Sequence, residues 1–256
     1  MHILTIWQKE LKQFFLSPIA YVILVVFVTL AGLFYFDLFT YFVQIQAQYQ
    51  NYQNPMAMQQ LNVNDMIITP LFHNLSVLLL LIIPLVTMRL YAEERRSGTD
   101  EILLTSPVSE SSIVWGKFLG AISFYLVALV LTAQFPLILF KYGNPDVGKL
   151  LTGYAGLFLM GASFIAFGLF TSTLAKTQTQ AAIWSFFMLL ILWIIGWLAE
   201  SVTGIAGAFL KHAAIMTHFG NFAQGIITVG DLVYFGTFIF LFIFLATRVV
   251  ESSRWR

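Results

Sequence analysis

Apolar residues run along this chain in blocks longer than a soluble core helix needs. A bilayer core takes about 20 apolar residues per helix, because each backbone amide in lipid must find its partner within its own segment. Six stretches meet that need: Ile19 to about Val43, with Asp37 near its far end, about Leu71 to Met88, Phe118 to Phe140, Leu150 to Ala175, Ala181 to Ala199 and Leu232 to Thr247. The third and fourth carry no charge, and the last two are shorter but bounded by ions. The pattern predicts an all-α, polytopic membrane protein with six transmembrane helices in a single domain over residues 1–256. Residues 200–230, "SVTGIAGAF" and "AAIMTHFGNFAQGIITVG" with Lys211 and His212 between them, are apolar but broken by glycine. They read as short re-entrant outer helices before span six, since backbone breaks survive at membrane depth only under cover of protein or water. A seventh span is the alternative.

Ahead of the first block the pattern changes period. In "HILTIWQKELKQFF", Ile3, Leu4, Trp7, Leu11, Phe14 and Phe15 share one helical face, while Thr5, Gln8, Lys9, Lys12 and Gln13 lie opposite. This predicts an N-terminal amphipathic helix over 1–17 that lies on the inner membrane surface, with Trp7, Lys9 and Lys12 as its interfacial residues. Ser17-Pro18 ends it and starts span one, because proline suits a first helical position and not an interior one. A signal peptide is disfavoured, because the apolar run is too long and no small-residue cleavage site follows. Between spans one and two, "QIQAQYQNYQNPMAMQQLNVND" (44–65) holds no basic residue and reads as an outer loop carrying a short helix.

Composition agrees with a membrane chain: 59% of 256 residues are hydrophobic and 26 are phenylalanine, against roughly 45–50% apolar content in a soluble domain. Net charge is +1, so no basic field argues for nucleic acid, and with no cysteine there is no disulfide or thiol chemistry. Charge placement sets orientation. With both termini inside, Lys9, Lys12, Arg89, Arg95, Arg96, Lys117, Lys176, Arg248, Arg254 and Arg256 are inner, and only Lys141, Lys149 and Lys211 are outer, as the positive-inside rule prefers.

Several tempting motifs carry little. "GNPDVGKL" has phosphate-loop spacing, but Leu150 stands where a hydroxyl must hold magnesium and a span, not a strand, precedes it, so it reads as a turn. His212, His218 and Asp231 are poorly spaced for a metal, and His73 and Asn74 suit helix packing or a cavity mouth. Gly116 and Gly120 form one G-x-x-x-G, weak evidence for a dimer face. Pro84 and Pro136 should kink their helices. No span pairs carboxylates, H-E-x-x-H or a Ser-Lys dyad, which disfavours an intramembrane enzyme.

The ions gather instead between spans two and three, in a cytoplasmic segment over 91–112. "SGTDEILLTSP" reads as a short helix, with Asp100 and Glu101 in a first turn that favours anions and Pro107 at its end. Ile102, Leu103 and Leu104 form an apolar ridge fit for docking a soluble partner. On charge alone, Glu93, Glu94, Arg95 and Arg96 are a solvated loop that fixes topology. The stretch "YAEERRSGTDEILLTSPVSESSIVWGKFLG" resembles the inter-span segment of ABC exporter permeases of the ABC-2 type, which show E-x-x-x-G-T-x-E-x-L-L-x-x-P-x-S before a helix opening with G-K. Those positions are Glu94, Gly98, Thr99, Glu101, Leu103, Leu104, Pro107, Ser109, Gly116 and Lys117. The resemblance extends over the whole chain, including the last outer loop, "HFGNFAQGIITVGDLVYF". Among such permeases the sequence is similar to those associated with gliding motility and with copper-enzyme maturation.

The resemblance implies a permease subunit in a bacterial cytoplasmic (inner) membrane, with no ATP site or cofactor of its own. ATP and magnesium would sit on a partner, a dimeric cytoplasmic ABC ATPase. That partner would push on a coupling element made here of Glu94, Gly98, Thr99, Glu101, Leu103, Leu104 and Pro107, with the surface helix around Trp7 and Lys12 beside it and "STLAKTQTQA" as a lesser contact. Six spans would form half a pathway, a second copy or a paralogue the other half, in contact with membrane lipid and with an extracytoplasmic auxiliary protein as a further partner. The alternative is a scaffold that passes mechanical work to that outer partner and moves no solute.

Overall fold

The computed structural model describes residues 2–51, 61–98, 108–143, 145–202 and 204–253, and among these no strand occurs. Helix α1 (His2–Leu16) is separated by Ser17 alone from α2 (Pro18–Asn51), the first span. A π-helical turn (Asn64–Ile68) enters α3 (Thr69–Thr87), the second span, and the short α4 (Ala92–Ser97) follows it. The third span is divided into α5 (Glu110–Thr132) and α6 (Gln134–Tyr142). Next come α7 (Val147–Leu174) and α8 (Gln178–Ser201), the short pair α9 (Ile205–Ala213) and α10 (Ile215–Ala223), and α11 (Val229–Ser253). Six segments are long and apolar enough to cross a membrane, as the hydropathy pattern requires.

Departures from the sequence pattern have local causes. The polar run after Val43 opens not as a loop but as further turns of α2, which continues to Asn51. Glutamine and alanine are good helix formers, so nothing in that run stops the helix at the end of the apolar block. The middle of the loop, 52–60, lies outside the described residues. Span three breaks at Ala133, because Pro136 has no N–H for the Thr132 carbonyl one turn back. Pro84 does not interrupt its helix, since α3 runs on to Thr87. The glycine-rich "GNPDVGKL" turns out to contain the start of α7: Asp146 Oδ1 accepts from the backbone N–H of Gly148 at 2.8 Å and of Lys149 at 3.4 Å. Leu150 is buried, and Lys149 Nζ reaches Asp65 at 2.6 Å, so this is a helix cap tied to the neighbouring loop.

The packing centre is α7, with 78% of its apolar window buried against 22% for the fifth and sixth spans. Close approach needs small residues. Gly153 leaves room for Phe72, Gly156 for Phe222, Gly161 for Tyr125 and Gly168 for Thr87, so one helix face receives spans two and three and α10. Tyr125 also donates to the Leu157 carbonyl at 2.6 Å.

Residues 200–230 hold two nine-residue helices joined at Ala214. At 1.5 Å per residue each is roughly 14 Å long, half of what a span needs, so neither is a seventh crossing by itself. Phe219 and Phe222 of α10 are buried, whereas Ile205 and Phe209 of α9 are 93% and 74% exposed. At the opposite end, Glu110 and Trp115 of α5 line one cleft with Arg248 and Glu251 of α11, so the start of span three and the end of span six lie together.

Candidate functional site

A lysine inside a membrane bundle is costly unless it is paired, and Lys117 is 2% exposed. Its Nζ lies 2.8 Å from Glu10 Oε1 and 2.9 Å from Glu94 Oε1, and Lys9 Nζ lies 2.7 Å from the same Glu94 oxygen. Two carboxylates and two ammoniums thus join three elements: α1, which contributes Lys9 and Glu10; α4, with Glu94; and α5, with Lys117. Glu10 and Glu94 side chains are 4% and 10% exposed, so the pairs work in low dielectric with charge-assisted geometry.

The helices reach this arrangement through glycine. A Cβ on Gly116 would come within 2.6 Å of Ile6, and one on Gly120 within 2.6 Å of Glu10. Thus the G-x-x-x-G of span three, weak evidence for a dimer face in the sequence, is the seat of α1. Trp7 Nε1 donates to Ser123 Oγ at 3.0 Å, and the Phe14 ring stacks on Phe124 at 5.0 Å. Contacts advance together along both helices, from Ile6 beside Gly116 to Phe14 beside Phe124, so α1 lies alongside the opening turns of span three and runs the same way. Its inward face is the apolar one, with Ile6, Trp7, Leu11, Phe14 and Phe15 half-buried, and that face carries one ion, the buried Glu10, while Leu4 at the start of the helix stays 60% exposed. The carboxylate faces inward because Lys117 is there.

On its other side, α4 is held by the last turn of α7 and by Ala175, the residue that follows it. Ser172 Oγ accepts from the backbone N–H groups of Tyr91 and Ala92, each at 3.1 Å, and Arg95 Nη1 donates to the Ala175 carbonyl at 3.1 Å. Thr171 and Ser185 share a hydrogen bond just above. The four charges over 93–96 are therefore not a solvated loop: Glu94 and Arg95 are engaged, Glu93 is half-buried and Arg96 is exposed. Gly98 ends α4 in the left-handed region at φ +67°, where a Cβ is strained, which gives the motif glycine its physical reason.

The sequence-predicted site residues divide three ways. Glu94 and Lys9 meet in the cluster, Gly98 turns the chain out of it, and Trp7 is bonded to span three, whereas Lys12 is exposed and outside the cluster. Thr99, Glu101, Leu103, Leu104 and Pro107 lie outside the described residues, as do Asp100 and Ile102 of the expected short helix. Glu10 was missed. Its signal was a carboxylate at the spacing of Ile3, Trp7 and Phe14, within the apolar stripe where an ion needs a partner.

Two further features face the other end of the bundle. His73 and Asn74 line a cavity of about 320 Å³ with Trp193, Gly196, Met216 and Thr217, between α3, α8 and α10. His218 Nδ1 lies 2.6 Å from Asp231 Oδ1, Asn221 donates to the other oxygen at 2.9 Å, and the Tyr234 ring stacks on His218 at 4.0 Å. The His212 ring is 5.6 Å from that of His218, but what His212 gives to His218 Nε2 is its backbone carbonyl, at 3.1 Å. No cluster of three or more metal-ligating side chains occurs among the described residues. The His218–Asp231 pair joins α10 to the first turn of α11.

Six helices long and apolar enough to cross a membrane, packed into one bundle, define a multi-pass membrane protein. The chain belongs to the ABC-2 family of transporter proteins, whose family model matches residues 4–245. It is also similar to two proteins from Escherichia coli, strains K12 and O157:H7, each named probable multidrug ABC transporter permease YbhR. Both are 35% identical over 103 residues, a stretch covering 39% of this chain and 26% of the relative. The match thus spans about a quarter of the relatives' length.

Proposed function

We propose that the chain is the permease subunit of an ATP-driven exporter, moved by an ABC ATPase on a separate cytoplasmic chain that carries the ATP and magnesium. The observation that supports this is the buried Lys117 bridging Glu10 and Glu94. Glu94 stands one turn before Gly98, which ends α4 within the coupling segment, so a push on residues 99–107 would reach α1 and span three through paired ions. Transmission needs stiffness, and breaking a buried pair by removing one partner costs on the order of 3–5 kcal/mol. The ATPase dimer would rest on Glu101, Leu103 and Leu104, with Lys12 exposed beside it, and a second copy or a paralogue would complete the pathway. Both termini would be cytoplasmic and the membrane the bacterial inner one, with the 320 Å³ cavity at the outer end.

Cargo is where the indications part. The sequence as a whole resembles permeases of gliding motility and copper-enzyme maturation, while the E. coli relatives carry a multidrug name. An alternative, a scaffold passing work to an extracytoplasmic partner, is favoured by one feature, the exposed Ile205 and Phe209 on α9. Docking is tested by co-expressing the chain with the ABC ATPase encoded beside it. Glu101→Lys with Leu103→Asp and Leu104→Asp should release the ATPase in detergent while membrane insertion persists; unchanged association would overturn the docking assignment.

A further inference from the structure

Between α1 and the end of span two, beside the ionic cluster, lies a pocket of about 70 Å³ lined by Glu10, Gln13, Phe14, Ser17, Arg89 and Glu93. Arg89 Nη1 donates to Ser17 Oγ at 3.0 Å, yet its Nε is buried without a hydrogen-bond partner among the described residues. A buried donor left unmade costs roughly 1–3 kcal/mol, and more on a charged group, so the pocket calls for an acceptor. One water needs only about 10–15 Å³ of such space, so the pocket has room for a larger polar group.

Charge narrows the choice of occupant. Glu10 is already paired with Lys117, which leaves the Arg89 guanidinium and the half-buried Glu93 carboxylate as the two active poles of the lining. Such a lining fits a ligand that carries both an anion and a hydrogen-bonding cation. A neighbouring crevice shares Phe14 and Arg89 and is otherwise apolar, with Ala20, Ile23, Leu85, Val86 and Phe124. Its volume, about 10 Å³, admits no acyl chain within it, so chains would pass outside, where Ile19 and Leu85 are exposed to the bilayer.

We propose that this pocket holds the headgroup of a zwitterionic phospholipid with a primary ammonium, its phosphodiester on Arg89 Nε and Ser17 and its ammonium on Glu93 and the Gln13 side-chain oxygen. Phosphatidylethanolamine has that chemistry. Phosphatidylcholine has no N–H to donate to Glu93, and phosphatidylglycerol brings no cation to it. The lipid would brace the end of α1 against span two, where Arg89 reaches Ser17. This holds independently of which ATPase, if any, binds the coupling segment.

The test uses the full chain, delipidated in detergent and given phosphatidylethanolamine, phosphatidylglycerol, phosphatidylcholine or inorganic phosphate, read by native mass spectrometry and thermal melting. Phosphatidylethanolamine should be retained one per chain and raise the melting midpoint, Arg89→Gln should reduce retention at least tenfold, and Glu93→Gln should erase the preference over phosphatidylglycerol. Equal retention of all three lipids would overturn the proposal, as would full retention by Arg89→Gln. Inorganic phosphate binding with the same Arg89 dependence would also overturn it, making this a free-anion site. If Arg89→Gln does not fold, Ser17→Ala and Glu93→Gln carry the test, and loss in neither rejects the site.

Discussion

Lys117 sets the energetics at the scale of single residues. Neither of its carboxylates is on its own helix, so its burial is repaid only when α1 and α4 are both in place. Lys117→Met removes the cation shared by Glu10 and Glu94, and Lys9, whose side chain is 54% exposed, replaces little of it. Removing one partner of a buried pair costs roughly 3–5 kcal/mol, so the melting midpoint in detergent should fall clearly. Glu10→Gln added to Lys117→Met should then cost much less than the sum of the two single changes, because interacting groups are not additive. Strictly additive losses would show that the residues do not act as one cluster.

Among the helices, the decisive contact is α1 against span three. Gly116 and Gly120 leave no space for a side chain, so leucine at Gly120 must displace Glu10 and lift α1 from its seat. Overpacking of this kind costs about 1–3 kcal/mol, and here it also strands the ions. Gly120→Leu should lower the melting midpoint and speed proteolytic loss of residues 2–16. Gly236→Ala in α11 meets nothing within 4 Å and gains helix propensity, so it should leave the midpoint unchanged or higher. Similar behaviour of the two variants would mean that α1 is not seated on that glycine face.

Over the whole molecule, one end carries α1, α4, the start of span three and the end of span six, while the opposite end carries α9, α10 and the cap of α7. The chain has no cysteine, so single cysteines report sidedness without background. Cysteine placed at Lys12 or Arg96 should react with an impermeant reagent only in inverted vesicles, and at Lys211 only in intact cells; the reverse pattern would overturn the orientation drawn from the basic residues.

Span number, helical class and the positions of the breaks at Ser17-Pro18 and Pro136 were legible in the sequence, because a bilayer demands a long apolar block for every crossing and proline acts on its own helix. The inter-span motif was legible as well, though only as a string of residue types. The sequence did not reveal that Glu10 pairs with Lys117, 107 positions away, that Gly116 and Gly120 seat the first helix, or that Glu94 is buried. Those facts depend on which helices come to lie side by side, and hydropathy, which records the preference of each segment for lipid, is blind to that choice. Only the folded bundle decides which buried ion finds which partner.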